Sequence, residues 1–360
     1  MTNPYENRDG SQFWNTGVAK QDFLRPIHNL YRKKYPLATD MRIATAGSCF
    51  AQHIGRHLKQ RGFNLLDVEP APRGLQPEDQ PRFGYSIYSA RFGNIYTARQ
   101  LLQLAKEAFG LFTPQHSVWI NTEGERPKYF DAFRPNIEPE GFDSAEEVIF
   151  ARQFHLQQVR DLLRSLDVLI FTFGLTECWL DKATGTIFPS APGVIAGSYS
   201  AARYEFKNFG FKEIHDDMLE FMALLQQENP HTVRYLFTVS PVPLTATAAE
   251  QHVLSASSYS KSVLRAVCGQ LQQDHSNVDY FPSYEIITNP WSGIDCYLPN
   301  RRTVKDSAVD IVMQNFFMQH ASPAAAPIPT GSCQPALPDA LAAVPDVICE
   351  DVILEYLNRH

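Results

Sequence analysis

The residues whose types and spacing could do chemistry begin at Gly47-Ser48-Cys49. They stand directly after the apolar run Arg42-Ile43-Ala44-Thr45-Ala46 and before a helical stripe of Phe50, Ile54 and Leu58. A strand that turns on a glycine into a helix presents a small nucleophilic side chain at the helix N-terminus. There the backbone N–H groups of the first turn hold an oxyanion, and the helix dipole favours a thiolate. Either Ser48 or Cys49 would then attack an acyl carbon. The same pair would also serve as a helix cap and a small buried filler, so the chemistry rests on what surrounds it.

Three further stretches follow apolar runs: Gly174-Leu175-Thr176-Glu177, Ser240-Pro241-Val242-Pro243 and Phe281-Pro282-Ser283-Tyr284-Glu285. In an open parallel sheet, ligands bind beyond the carboxyl ends of the strands, so all four points belong at one edge. Glu177 would position a substrate hydroxyl there, with Trp179 offering an apolar face to a sugar. An exposed hairpin carboxylate over a packed aromatic accounts for that pair equally well, and Tyr284 and Glu285 carry the same two readings. Among 11 histidines, His116 lies in a loop-rich stretch with Asp131 and Arg134 near it in sequence; it is the expected general base if one is needed, and a surface or hydrogen-bonded structural histidine otherwise. His53 and His57 have i, i+4 spacing but lack the H-E-x-x-H glutamate, so neither a metal nor a cofactor is expected.

The elements that must position these residues alternate along the chain. Strands are expected at 42–46, 63–68, 167–173, 233–239 and 278–281, and helices at 50–61, 97–109, 144–166, 212–228, 257–273 and 305–317. Ser144 and Glu147 have the spacing of a capping box. The unbroken run Asp167-Val168-Leu169-Ile170-Phe171-Thr172-Phe173 reads as a strand buried on both faces, and Cys178–Phe188 as a hairpin turning at 182–185. This pattern predicts an α/β fold, a three-layer α/β/α sandwich around a mainly parallel five-stranded sheet. Residues 1–39 are expected to pack on the core as an extension of the 40–320 domain. Residues 321–345 read as a Pro/Ala-rich linker, and 346–360 as a short amphipathic helix that docks back or pairs two copies of the chain.

The string Thr45-Ala46-Gly47-Ser48-Cys49-Phe50-Ala51 resembles the motif that names the GSCFA-domain family, within the SGNH, or GDSL-like, hydrolase superfamily. The likeness extends through Phe92-Gly93-Asn94-Ile95-Tyr96-Thr97, Phe173 to Glu177, Ser240 to Pro243, Tyr259-Ser260-Lys261 and Tyr280 to Glu285. It implies a flavodoxin-like sandwich and ester hydrolysis or acyl transfer, often on an acylated carbohydrate or polysaccharide precursor. Carried over residue by residue, the Gly-Asp-Ser block lies on Gly47-Ser48-Cys49, which makes Cys49 the nucleophile; a shift of one residue would restore Ser48. Gly93, with Asn94 beside it, matches the glycine block that donates to the oxyanion, and the asparagine of the Gly-x-Asn block is Thr176 here. The Asp-x-x-His dyad falls on Asn300-Arg301-Arg302-Thr303, so base and orienting acid are both replaced. Arg301 and Arg302 would bind an anion there or serve as solvated charges. A serine hydroxyl is weak without a base, whereas a thiol at a helix N-terminus titrates at about 3.5–7.5. The alternative is a catalytically silent binding module for a glycan or a protein.

The composition excludes several classes. With 32 Lys+Arg against 39 Asp+Glu, a net charge of −7 and no basic stripe, nucleic acid is not an expected partner. No stretch approaches the ~20 apolar residues that cross a bilayer, and the first residues lack a signal peptide's pattern, so a cytoplasmic home is expected. Cysteines 49, 178, 268, 296, 333 and 349 lie far apart with no C-x-x-C pair, which fits reduced thiols rather than a disulfide framework.

Overall fold

The structure, a computed structural model, describes residues 3–320. In chain order its longer elements are β1 (Ile43–Gly47), α1 (Ala51–Gln60), α2 (Ala98–Ala108), β2 (Val118–Asn121), β3 (Lys128–Asp131) and α3 (Ala145–Ser165). There follow β4 (Val168–Phe173), β5 (Glu177–Asp181), β6 (Ile187–Phe188), β7 (Tyr204–Asn208), α4 (Phe211–Glu228), β8 (Arg234–Val239), α5 (Val253–Asp274), β9 (Val278–Tyr280), α6 (Ser283–Thr288) and α7 (Asp306–His320). The expected linker and terminal helix at 321–345 and 346–360 lie outside the described residues.

The central sheet is parallel throughout, in the order β1-β4-β8-β9. Side chains alternate between its faces as a two-residue period requires. Leu169, Phe171 and Phe173 of β4, with Tyr235 and Phe237 of β8, meet one cluster that also holds buried side chains of α2 to α5. Val168, Ile170 and Leu236 meet a second cluster built from α1 and α7. Helices therefore cover both faces of the sheet, and β4 is buried at every position. The N-terminal stretch packs on the second cluster through Tyr31, Tyr35 and Leu37. Ile27 N–H donates to Asn315 Oδ1 at 2.9 Å and the Tyr31 hydroxyl to Asp279 at 2.8 Å.

Among the described residues the parallel sheet has four strands, not the expected five. Residues 63–68 approach β1 through a single bridge, Leu65 to Ile43, and then diverge. The reason lies in the outer edge of β1. There the Thr45 N–H donates to Ser89 Oγ (2.9 Å), Thr45 O accepts from Ser89 N–H (3.2 Å), and Gly47 O accepts from Ile95 N–H (2.9 Å). The loop across 87–95 takes the ladder positions that a fifth strand would need. The hairpin expected at 178–188 forms as β5 and β6, with Trp179 opposite Phe188, and gains β7 on the other edge of β5. A further hairpin, β2 with β3, packs Trp119 on Phe188.

Candidate functional site

Strand β1 ends in a turn that accepts only glycine at position 47. Gly47 has φ 131°, and a Cβ there would lie 2.3 Å from Thr172 O. That close approach lets Ser48 N–H donate to Thr172 O at 3.0 Å, which clamps the turn to the end of β4. The N–H groups of Ala51, Gln52 and His53 return to the carbonyls of Ser48, Cys49 and Phe50 at 2.9, 3.2 and 3.2 Å. The Cys49 and Phe50 N–H groups thus head the helix. Gly174 stands against this turn, since a Cβ on it would meet Ser48 Cβ at 3.0 Å and Tyr96 O at 3.2 Å.

The other post-strand residues arrive at the same edge. Ser240 N–H donates to Phe173 O at 2.8 Å, and the Ser283 hydroxyl reaches Val239 O at 3.1 Å and Thr238 Oγ1 at 2.5 Å. Ser48, Gly174, Ser240 and Ser283 therefore share the carboxyl edge of the sheet, because four parallel strands end there in register. Asn94 joins the edge through a chain of contacts: Gln52 Nε2 donates to the Tyr88 hydroxyl at 3.2 Å, which donates to Asn94 Oδ1 at 2.6 Å. Gly93 beside it has φ 65°.

Ser48 and Cys49 are both buried. The Ser48 hydroxyl has no hydrogen-bond partner, so among the described residues no base reaches it. Thr176 is fully buried; its N–H donates to Ser260 Oγ at 3.0 Å and its own hydroxyl is unpartnered. Glu177 is buried beside Trp179 on a cavity of about 260 Å³ and accepts one hydrogen bond, from Thr247 Oγ1 at 2.8 Å. Burial pushes its carboxyl pKa up. Tyr284 lies half-buried in the first turn of α6, and Glu285 is engaged by Arg265 (2.5 Å) and the Tyr280 hydroxyl (2.7 Å).

His116 is exposed before β2, with φ 58°, and makes no hydrogen bond to Ser48. Asp131 and Arg134, its neighbours in sequence, turn inward instead. They bond each other at 2.8 Å in a buried network with Arg152. Asn300 and Thr303 form a closed, exposed turn. Asn300 Nδ2 donates to Thr303 Oγ1 (2.9 Å), and Asn300 Oδ1 accepts from the N–H groups of Arg302 and Thr303 (3.1 and 3.0 Å). Arg302 Nε donates to Pro243 O at 3.2 Å, which ties this turn to the loop after β8, while Arg301 is exposed 3.6 Å from Asp295. His53 and His57 belong to no cluster of three or more metal-binding side chains among the described residues.

One residue at the edge was not assigned a role from sequence. Lys261 of α5 is buried and its Nζ donates to Gly174 O at 2.7 Å, a contact between residues 87 apart in sequence. Its signal was present in the helix pattern. Ser257, Lys261, Leu264, Cys268 and Leu271 form one buried stripe, and a lysine on a core stripe needs a polar partner.

An α/β sandwich with a glycine-hinged Ser-Cys turn at the carboxyl edge of its sheet is the class that fold and site define. Residues 42–316 match the GSCFA family, and the chain belongs to that family. No curated protein matches it. Among the described residues no helix is long and apolar enough to cross a membrane.

Proposed function

We propose that this GSCFA-family chain is an esterase or acyltransferase of the SGNH type, acting in the cytoplasm on an acylated carbohydrate or polysaccharide precursor. Cys49 is the nucleophile, with Ser48 the alternative in the same turn. The observation that carries this reading is the placement of the turn, clamped at the head of α1 and at the carboxyl edge where ligands of parallel sheets bind. The bare Ser48 hydroxyl favours the thiol, which needs less help from a base. In the first step the Cys49 sulfur bonds to the acyl carbon, and the carbonyl electrons move to oxygen near the N–H groups that head α1. Collapse of that adduct releases the alcohol, which takes up a proton, and leaves a thioester. Water then frees the acid, or an acceptor hydroxyl takes the acyl group. Lys261 brings an amine donor to the same edge, and Asn94 adds a side-chain amide.

The test is an electrophilic acyl-enzyme probe followed by peptide mapping. Label on Cys49 is the expected result, label on Ser48 transfers the role, and label on neither defeats the catalytic reading. A second reading, a binding module on the same fold, is favoured by the Asn300–Thr303 turn, whose side chains are spent on each other and on backbone N–H groups.

A further inference from the structure

Among the described residues each buried carboxylate except Glu177 either meets a guanidinium or accepts several hydrogen bonds. Asp131 pairs with Arg134 and Arg152, Asp181 with Arg203 and Asp217 with Arg99, while Glu69 accepts from the Arg91 N–H and meets His155 Nδ1. Asp279 lacks a cation but accepts from Tyr31, Lys34, Gln272 and Tyr280. Glu177, 8% exposed, has the single bond from Thr247 and no cationic partner among the described residues. Its second carboxylate oxygen faces the cavity without a protein donor, so the carboxylate has room for a further partner there.

Its surroundings say what that is. The cavity of about 260 Å³ lies between the β5–β6 hairpin and the loop after β8, and Leu175, Trp179, Pro189, Phe206 and Leu244 line it together with Glu177. Thr245, also on the wall, holds a buried hydroxyl with no partner. Aromatic and aliphatic walls around one carboxylate suit a group that is positively charged yet clothed in carbon. The wall's side-chain hydroxyls are those of Ser190, Thr245 and Thr247, the last spent on Glu177, which is few for a sugar ring, and a plain acyl chain would leave the carboxylate bare.

We propose that this cavity binds a small alkylammonium group, whose charge faces Glu177 and whose carbon substituents face Trp179, Phe206 and Leu244. The site is independent of the catalytic reading, because binding here requires no turnover at Cys49 or Ser48. Deprotonated Glu177 is the binding form, so affinity falls as the pH is lowered through its raised pKa.

Calorimetry on the full chain with choline and with its uncharged isostere, 3,3-dimethylbutan-1-ol, tests the proposal. Choline is expected to bind saturably and about tenfold or more tightly than the isostere. The Glu177→Gln variant is expected to erase that difference, and acidification of the wild type to weaken choline alone. Should Glu177→Gln fail to fold, the wild-type comparison and its pH dependence still decide. Equal binding of the isostere, preference for a neutral monosaccharide, or no saturable choline binding would each overturn the proposal.

Discussion

Replacing Gly174 by alanine separates the two nucleophiles and tests how tightly the carboxyl edge is packed. The added Cβ would lie 3.0 Å from Ser48 Cβ, 3.1 Å from Tyr96 Cδ1 and 3.2 Å from Tyr96 O. Each is shorter than the roughly 3.5–4.0 Å of optimal carbon contact, so a neighbour must give. The backbones resist, because Gly174 and Leu175 N–H both donate to Tyr96 O (3.1 and 2.9 Å) and Ser48 N–H is held by Thr172 O (3.0 Å). Gly174 is not among the glycines with positive φ, so no backbone strain is added. What remains is local overpacking of about 1–2 kcal/mol, or about 1.5–3 °C in Tm for a domain of this size. The push of a few tenths of an ångström falls on Ser48, and since a full ~1 Å at a reacting atom costs on the order of 10²-fold in rate, about tenfold is the expected loss if Ser48 reacts. The expected outcome is a Tm lowered by a few degrees, read by scanning fluorimetry, with acyl-probe labelling of Cys49 retained. A label that maps to Ser48 and falls about tenfold at unchanged fold would assign the chemistry to Ser48. A Tm equal to that of wild type would refute the packing argument itself.

Three other outcomes follow from the same geometry. Burial pushes the thiol pKa values of Cys178, Cys268 and Cys296 up, so an alkylating reagent at mildly acid pH is expected to modify Cys49 before these three; peptide mass mapping showing uniform reaction would return Cys49 to a packing role. Burial, aided by Arg134, pushes the His155 pKa down to about 4, and burial with Lys33 pushes His320 down to about 3, against 6.5 for both when unfolded. The unfolded chain therefore binds these protons first, and their contribution to stability is expected to fall as pH drops from about 6.5 toward 4; denaturant midpoints that stay flat across that window would contradict it. Burial raises and the Arg152 and Arg134 guanidiniums more than offset the Asp131 pKa, holding it at about 2. Asp131→Asn removes the ion-pair partner of buried Arg134 and one of the two of Arg152, which keeps Glu107, and is expected to cost about 3–5 kcal/mol by equilibrium unfolding, a loss below ~1 kcal/mol being the refuting result.

Much of the fold is a local property and could be read from residue order. The run from Val168 to Phe173 is apolar at nearly every position because both faces of β4 are buried, and it forms where expected. The stripe of Phe50, Ile54 and Leu58 faces the second cluster for the same reason. Ser144 caps α3 by accepting from Glu147 N–H at 3.2 Å, a contact set by spacing alone. The glycine turn was legible too, since few chain geometries take a strand directly into a helix through Gly47-Ser48-Cys49.

Tertiary structure decided what depends on partners distant in sequence. Residues 63–68 have the composition of a strand, but a strand exists only where a ladder is open, and the Ser89 and Ile95 loop occupies the edge of β1. Asp131 and Arg134, close to His116 in number, are drawn into a buried ion network while His116 stays on the surface, because an unpaired buried charge costs far more than an exposed imidazole. Lys261 reaches Gly174 only because α5 lies beside the carboxyl end of β4, and Glu177 stands without a cation only because the chain folds none toward it among the described residues. Periodicity settles which face of an element is buried; which charges meet across that face is settled when the elements pack.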